Sequence, residues 1–287
     1  MSRVHFRALR DTLIFLATNH IPRAAFTHFM GWFSRLEQPC VRAPALYLWR
    51  RFGGLDLSDA LKARFVSIHD CFIRQLQPGA RPFVADADVL ASPCDAIVGA
   101  CGEVANGVLI QAKGLTYTLD DLLCEEALAA GFRDGSYATL RITPNMYHRF
   151  HAPCDATIEH VTYVSGDTWN VNPATLARVD RLFCRNERAI VRARCADGEL
   201  IALVPVAAIL VASMRFTFVD VRLHLRYRGP NEIPCSTAVR RGEELGWFEH
   251  GSTIIVLAPR GYRLASGVAS GIRLKAGQAL MRRSAAT

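Results

Sequence analysis

The sequence predicts an α+β fold, with N-terminal amphipathic helices followed by a β-rich body built as a barrel or a sandwich. Two observations support this fold class. Apolar residues recur at roughly helical spacing in the first 78 residues, whereas apolar and polar residues mostly alternate beyond residue 83. The stretch QLQPGARPF at 75–83 lies between the two patterns and is typical of a linker. We therefore expect two parts, residues 1–78 and residues 79–287.

The N-terminal part is predicted to form short amphipathic helices. Within residues 6–33, Phe, Leu and Met side chains recur at helical spacing with arginines beside them, and Pro22 interrupts the pattern. A second periodic stretch runs from Leu57 to Phe72 and follows Asp56, a candidate helix cap. Each helix would carry an apolar side and a polar side that is rich in arginine.

The net charge of +8 is concentrated in this N-terminal part. Residues 1–82 contain 12 Lys and Arg against 5 Asp and Glu, whereas residues 83–287 contain 22 against 21. Short helices with Phe, Trp and Leu on one side and Arg on the other suit an anionic membrane surface. A helical subdomain that packs on the body is the alternative, and the pattern alone favours neither.

The β-rich body contains one well-marked helix among short predicted strands. Thr118 begins a capping-box pattern, the stretch LLCEEALAA follows, and Gly131 ends the helix. Alternation is clearest at 221–228, where Val, Leu and Tyr alternate with Arg and His, and a solvated strand face is the expected interpretation. Gly-containing turns separate strands at 134–135, 197–198, 228–230 and 259–261.

The composition argues against a membrane-spanning or secreted protein. No apolar stretch reaches the roughly 18 uncharged residues that a spanning helix needs. The first residues combine a short apolar run with charges and lack a small-residue cleavage site, so we expect no signal peptide. The nine cysteines are scattered and form no Cys-x-x-Cys pair, which predicts reduced thiols in the cytosol rather than disulfides or a zinc site.

The most informative stretch lies near the C-terminus and reads FEHGSTIIV, residues 248–256. A Gly-Ser-Thr step here leads into a β-branched apolar run, which predicts a buried strand that begins near Ser252. A turn before the strand is the simplest interpretation, because Gly allows unusual φ values and the hydroxyls satisfy backbone groups. A reactive Ser252 hydroxyl is the alternative.

Two other motifs offer groups that could activate such a hydroxyl. YHRFHAP contains His148 and His151, and SPCDA contains Asp95. Asp, His and Ser together form a nucleophile set, in which the carboxylate orients the imidazole and the imidazole takes the hydroxyl proton. A metal site of Asp95, His148 and His151, which leaves Ser252 unexplained, and a structural histidine pair are the other interpretations. No Gly-x-Ser-x-Gly occurs, which argues against an α/β-hydrolase.

Taken together, the motifs resemble the phosphatidylserine decarboxylase proenzymes. The resemblance runs in order from about residue 80 to residue 280, through SPCDA, LIQAKGLTYTLDDLL, YHRFHAP, YVSGDTWNVN, LFCRNERAIV and ELGWFEHGSTIIVLAP. The N-terminal region matches the family only in its basic, helical character. Two residues depart from the family pattern: His250 stands where Leu is common, and Ala96 stands where Gly is common. Neither departure removes a reacting group.

The resemblance implies that the chain cleaves itself between Gly251 and Ser252, which gives a large subunit of residues 1–251 and a small subunit of residues 252–287. In the family the serine oxygen attacks the preceding carbonyl to give an ester. Elimination then leaves a dehydroalanine, which hydrolyses to an N-terminal pyruvoyl group. The expected cofactor is therefore a covalent pyruvoyl group derived from Ser252.

The resemblance also implies roles for individual residues. Asp95, His151 and Ser252 match the family's self-processing triad, and His148 matches the acid that protonates the carbanion after CO2 leaves. The pyruvoyl carbonyl takes up the substrate amine as a Schiff base and serves as the electron sink. Neither a metal nor an external cofactor is expected.

The implied activity is decarboxylation of phosphatidylserine to phosphatidylethanolamine and CO2, at the cytoplasmic face of the cell membrane and by a peripheral protein. The expected partners are an anionic phospholipid membrane and its phosphatidylserine, and the two subunits made from one chain should stay together. No nucleic-acid partner is predicted. The sequence does not decide whether the protein forms a homo-oligomer. Alternatives are a decarboxylase of a soluble amino acid, a serine hydrolase that uses the same Asp/His/Ser set, and a lipid-binding module without activity. The intact Asp95, His148, His151 and Ser252 argue against the last.

Overall fold

A computed structural model of the chain describes residues 9, 11–13, 15–16, 22–112, 114–209, 213–220, 222–224, 227–249 and 252–284. The helices are α1 (Arg23–Phe33), α2 (Pro39–Phe52), α3 (Ile68–Phe72), α4 (Leu119–Leu123), α5 (Glu126–Ala130), α6 (Pro173–Leu176) and α7 (Leu182–Arg185). The strands are β1 (Val89–Ala91), β2 (Ala96–Glu103), β3 (Val108–Ala112), β4 (Leu115–Thr118), β5 (Ser136–Ile142), β6 (Arg149–His151), β7 (Ala156–Val164), β8 (Arg188–Cys195), β9 (Leu200–Val206), β10 (Ser213–Phe216), β11 (Arg222–His224), β12 (Glu232–Val239), β13 (Glu244–Phe248), β14 (Ser252–Ala258), β15 (Tyr262–Leu264), β16 (Arg273–Leu274) and β17 (Ala279–Arg283).

The main sheet has eight strands in the order β12-β7-β8-β9-β14-β5-β2-β16, and its neighbours are antiparallel. It is an open sheet, since β12 and β16 form its edges. A four-stranded sheet β11-β10-β13-β6, a three-stranded sheet β1-β17-β15 and the hairpin β3-β4 accompany it among the described residues. The predicted α+β class with a β-rich body is therefore confirmed, and the body is layered rather than a closed barrel.

The strand β14 lies inside the main sheet and confirms the buried strand predicted from GSTIIV. It pairs with β5 along one edge and with β9 along the other. Every residue from Thr253 to Ala258 is buried, because β-branched and other apolar side chains fill both faces of the strand. The strand that begins at Ser252 is thus fixed by backbone hydrogen bonds and by apolar packing.

The main sheet is covered on both faces. On one face, Arg188 of β8 donates a hydrogen bond to the carbonyl of Leu122 in α4 at 2.8 Å. On the other face, the Tyr163 hydroxyl of β7 donates to the carbonyl of His224 in β11 at 3.1 Å. The four-stranded sheet therefore packs on the face opposite to α4, and the body has the sandwich-like layers that alternating strands favour.

The helix predicted after Asp56 forms only in its last turn, α3. The Asp56 carboxylate accepts a hydrogen bond from the backbone N–H of Ser58 at 2.9 Å, so it closes a turn rather than capping a helix. Ser67 caps α3 instead, and its hydroxyl accepts from the backbone N–H of Asp70 at 3.0 Å. Apolar residues before α3, including Phe65, pack in a small separate cluster. Their helix-like spacing reflects the packing of a loop.

The helix predicted to begin at Thr118 is present but broken. The Thr118 hydroxyl accepts a hydrogen bond from the backbone N–H of Asp121 at 3.0 Å, which confirms the predicted cap. Cys124 then adopts a left-handed conformation with φ of 56°, and this residue separates α4 from α5. The alternating segment 221–228 is only partly described: residues 222–224 form β11, and residues 227–228 lie outside the strands.

The N-terminal helices carry exposed aromatic side chains. Trp32 of α1 is 60% exposed and Phe52 at the end of α2 is 74% exposed. Arg50 and Arg51, next to Phe52, are exposed as well. Within the described ranges, no helix is both long enough and apolar enough to cross a bilayer. Helix α2 therefore combines apolar and basic groups on its surface, and α1 exposes aromatic side chains.

Candidate active site

The predicted cleavage step lies where the chain passes from one sheet to the other. Phe248 ends β13 in the four-stranded sheet, and Ser252 begins β14 in the main sheet. The Ser252 backbone pairs with Ile142 at the end of β5. His250 and Gly251 lie outside the described residues. The structure therefore describes the chain up to Glu249 and again from Ser252.

Glu249 fixes the chain just before this step. Its carboxylate is buried, accepts a hydrogen bond from the Ser213 hydroxyl at 2.6 Å and pairs with the Arg35 guanidinium at 2.9 Å. Its backbone N–H also donates to the Ser213 carbonyl at 3.2 Å. Because Arg35 follows α1, an ion pair joins the N-terminal part of the chain to the segment that leads into the predicted cleavage step.

His148 lies against the same segment. The backbone N–H of Phe248 donates to the His148 carbonyl at 3.1 Å. The His148 side chain is completely buried and stacks on Phe72 with 3.8 Å between ring centroids, and Phe72 in turn stacks on Trp49 at 5.9 Å. Nε2 of His148 lies 3.4 Å from the carbonyl of Pro144. A stack of three rings therefore connects α2 and α3 to this histidine.

A cavity of about 310 Å³ lies at the start of β14. Ile142, which pairs with Ser252, lines it, and so do Phe72 and Pro144, which both contact His148. Helices α1, α2 and α3 supply apolar side chains to its wall. The cavity can thus hold an apolar or amphipathic ligand against Ile142, the strand partner of Ser252, and against Phe72, which stacks on His148.

His151 ends β6 as a neutral imidazole. Its Nδ1 lies 3.0 Å from the carbonyl of Gly242. Because a carbonyl can only accept, Nδ1 carries the proton, and Nε2 accepts from the Tyr147 hydroxyl at 3.0 Å. Burial lowers the pKa of His151 and keeps the ring neutral. Gly242 has φ of +81°, a turn conformation that suits glycine and that presents this carbonyl to the ring.

Asp95 lies close to His151 but is bonded to other groups. Nε and Nη2 of Arg81 donate to its two carboxylate oxygens at 2.8 and 2.6 Å. The backbone N–H of Ala276 donates to the same carboxylate at 2.9 Å. Arg81 also pairs with Asp59 at 2.8 Å. The buried Asp95 carboxylate is thus held by a two-pronged arginine pair, which fixes its orientation.

The structure brings Asp95 and His151 into one cluster through Arg81 and Tyr147. The His151 backbone N–H donates to the carbonyl of Pro93 at 2.8 Å, next to the Asp95 motif. The Arg81 guanidinium lies 6.0 Å from the centre of the Tyr147 ring, whose hydroxyl bonds to His151. Sequence analysis missed both linking residues. Tyr147 opens the YHRFHAP motif and could have been found there, whereas Arg81 lies in the predicted linker.

The described residues offer no metal site. Across them, no group of three or more His, Cys, Asp or Glu side chains lies close enough to bind a metal ion. Asp95 bonds to an arginine, His148 packs among aromatic rings, and His151 bonds to a tyrosine and a carbonyl. The metal interpretation of these three residues therefore has no support in this part of the chain.

Comparison with known proteins links this geometry to one family. The profile of the phosphatidylserine decarboxylase family matches residues 68–282. The chain is 36% identical to a phosphatidylserine decarboxylase proenzyme of Anaeromyxobacter sp. (strain K) over 95% of this chain and 99% of that protein. Similar proenzymes occur in Haemophilus influenzae, at 34% identity over 83% of this chain and 84% of the relative, and in Vibrio cholerae, at 35% over 90% and 94%.

Proposed function

This chain belongs to the phosphatidylserine decarboxylase family, and on that basis we propose that it converts phosphatidylserine to phosphatidylethanolamine and CO2. The proposal depends on the surroundings of Ser252 at the start of β14. There Ile142, the strand partner of Ser252, lines a mainly apolar cavity, and Phe72 in the wall of this cavity stacks on the buried His148. A lipid headgroup with its acyl chains is the kind of substrate that such a cavity suits.

We propose further that the chain is a proenzyme that cleaves itself between Gly251 and Ser252. Nε2 of His151 gives up the hydrogen bond from the Tyr147 hydroxyl and takes the proton of the Ser252 hydroxyl. The Ser252 oxygen attacks the Gly251 carbonyl carbon, so that an ester replaces the peptide bond. Elimination breaks the bond between Cβ and oxygen, which releases residues 1–251 with a free carboxylate. Hydrolysis of the remaining dehydroalanine, with loss of ammonia, leaves a pyruvoyl group at position 252.

The surroundings of position 252 fit a covalent carbonyl cofactor. When present, the pyruvoyl group would supply a carbonyl that takes up the substrate amine and accepts electrons as CO2 leaves. The chain holds the strand that begins at position 252 by the pairing of β14 with β5 and β9. His148, stacked on Phe72 in the cavity wall, is the proposed donor of the proton that replaces CO2.

The proposed function is tested on the purified wild-type protein. We expect two chains under denaturing conditions, residues 1–251 and 252–287, and the small chain should resist Edman sequencing because its N-terminus is a keto group. The two chains should elute together under native conditions, since β14 is paired on both edges. Mass spectrometry and conversion of phosphatidylserine to phosphatidylethanolamine check these expectations. A small chain with a free N-terminal serine would contradict self-processing by this route.

We also propose that residues 1–78 bind the cytoplasmic face of the cell membrane, and that residues 79–287 form the catalytic domain. The exposed aromatic residues of α1 and α2 and the exposed arginines of α2 support membrane binding by the first part. Trp49 of α2 lines the cavity while Phe52, one turn further along, is exposed, so a lipid held at this surface lies near the cavity.

Membrane binding predicts two separable effects. Replacing Phe29, Trp32 and Phe52 with Ser should weaken sedimentation with all vesicles, because it removes exposed apolar surface. Replacing Arg50 and Arg51 with Ala should weaken binding to anionic vesicles alone, by about 30-fold at low salt, if each contributes roughly 1 kcal/mol.

The matched control is Ile272→Ser, which removes an exposed apolar side chain from the body and should leave vesicle binding unchanged. Point substitutions are preferable to deletion of the segment, since Phe72 contacts His148. Equal binding of the wild-type protein to neutral and anionic vesicles at low salt would contradict the electrostatic part of the proposal.

A further inference from the structure

We propose that Arg141 binds the phosphodiester of the substrate headgroup, an inference that rests on the function proposed above. Arg141 lies in β5 at the register position opposite Thr253 of β14 and Ile97 of β2. The next residue, Ile142, pairs with Ser252. The main sheet therefore holds this arginine one residue away from the position that would react with the substrate amine.

Arg141 is the only charged side chain among the described residues that line two neighbouring cavities. One is the cavity of about 310 Å³ beside the start of β14. The other, of about 690 Å³, lies along β2, β3 and β5 and is lined mainly by apolar residues. Arg141 lines both cavities and is partly exposed, so its side chain is within reach of a ligand in the cavity that α1 to α3 help to line.

Arg141 differs from three other arginines of the body, Arg81, Arg149 and Arg188, whose guanidinium groups bind acceptors within the protein. Arg81 pairs with Asp95, Arg149 pairs with Glu244, and Arg188 donates to backbone carbonyls. In the described part of the chain, no side chain or carbonyl accepts a hydrogen bond from Arg141, and burial lowers its pKa. A guanidinium has five N–H donors and binds phosphate with two parallel hydrogen bonds. An anionic ligand would supply the acceptors that the protein does not.

The chemistry of the reaction favours the phosphodiester over the carboxylate as the anion. The carboxylate leaves as neutral CO2, so a cation bound to it would stabilise the substrate more than the transition state and would slow the reaction. The phosphodiester keeps its charge throughout. The cavity that Arg141 lines is also lined by apolar side chains of α1 to α3, which suit acyl chains, and by Ile142, the strand partner of residue 252.

The test compares Arg141→Met with the wild-type protein on short-chain lipids in detergent micelles. We expect the KM for phosphatidylserine to rise about 10- to 100-fold, the effect of losing a charge-assisted hydrogen bond, with a smaller change in kcat. The inhibition constant of phosphatidylethanolamine should rise by the same factor, because this product keeps the phosphodiester and lacks the carboxylate. Calorimetric binding of short-chain phosphatidylethanolamine gives a second readout that needs no turnover.

Two further substitutions of Arg141 and one control substitution at another arginine are measured in the same way. Arg141→Lys should bind phosphatidylethanolamine with intermediate affinity and Arg141→Gln weakly, and this pair decides the matter if Arg141→Met does not fold. Arg263→Met removes an exposed arginine of β15 and should change neither constant.

Three outcomes would overturn the inference. Equal binding of phosphatidylethanolamine by all the Arg141 variants would mean that Arg141 makes no contact with the headgroup. A raised KM with an unchanged inhibition constant would assign the arginine to the carboxylate. Displacement of the lipid by an equal concentration of inorganic phosphate would indicate a site for free phosphate. A wild-type protein that is never cleaved, or that does not decarboxylate phosphatidylserine, contradicts instead the proposed function.

Discussion

Replacing Ser252 with Ala leaves one uncleaved chain of residues 1–287 without decarboxylase activity. The Ser252 oxygen is the proposed nucleophile, and its own Cα and Cβ would become the cofactor, so neither processing nor turnover has another source. We expect the loss to be complete within the range of the assays. Intact mass under denaturing conditions and the yield of phosphatidylethanolamine measure the two losses separately.

The neighbouring hydroxyl provides the matched control. Thr253 is completely buried, and its Oγ1 has no hydrogen-bond partner within the described part of the chain. Valine has nearly the same shape, so Thr253→Val removes the hydroxyl without leaving a buried partner unsatisfied. This variant should fold, split into two chains and retain activity. Normal splitting of Ser252→Ala, or failure of Thr253→Val to split, would mean that the reactive hydroxyl has been assigned to the wrong residue.

Local signals predicted the parts of the fold that depend on local chemistry. The β-branched run after Gly251 predicted β14, since such side chains pack well on both faces of a buried strand. The Thr118 side chain predicted a helix start, because a hydroxyl can satisfy a backbone N–H three residues later. The YHRFHAP motif likewise contains both histidines and the tyrosine that bonds to one of them.

Features that depend on contacts between segments far apart in the sequence could not be predicted from local patterns. The helix α2 lies in the part that was predicted to be helical, but its bounds were not predicted, and it contains Pro44, a residue that usually interrupts helices. Arg81 looked like part of a linker, and only the folded chain brings its guanidinium to Asp95. The sequence also could not predict that the Arg141 side chain has no hydrogen-bond acceptor among the described residues. This property depends on which residues surround the two cavities.

Substitutions of the two histidines should slow different steps, self-cleavage for His151 and decarboxylation for His148. This is the second prediction with a large expected effect. His151→Gln should slow self-cleavage by about 10²- to 10⁴-fold, the usual range for loss of a general base. His148→Gln should split normally, carry a blocked small chain and lose about a hundredfold in turnover, the lower end of that range. Each variant is the matched control of the other, since both remove an imidazole from one motif. Time courses of chain splitting and rates of phosphatidylethanolamine formation measure the two steps.

Asp95→Asn tests the third member of the proposed triad. The tautomer of His151 is already fixed by the Gly242 carbonyl, and the Asp95 carboxylate is bonded to Arg81. If Asp95 assists processing, Asp95→Asn should slow chain splitting as His151→Gln does. Splitting at the wild-type rate would restrict Asp95 to anchoring Arg81.

The pH dependence of splitting gives an independent check on His151. Because burial lowers its pKa below the ordinary value of 6.5, the neutral form that accepts a proton persists as pH falls through 6.5. The splitting rate of the wild-type protein should therefore stay level at pH 6.5 and decline only in more acidic solution. A decline centred above pH 6.5 would assign the base to another group. Failure of His148→Gln to split, with an unchanged melting temperature, would place His148 in processing and would remove the proposed division between the two histidines.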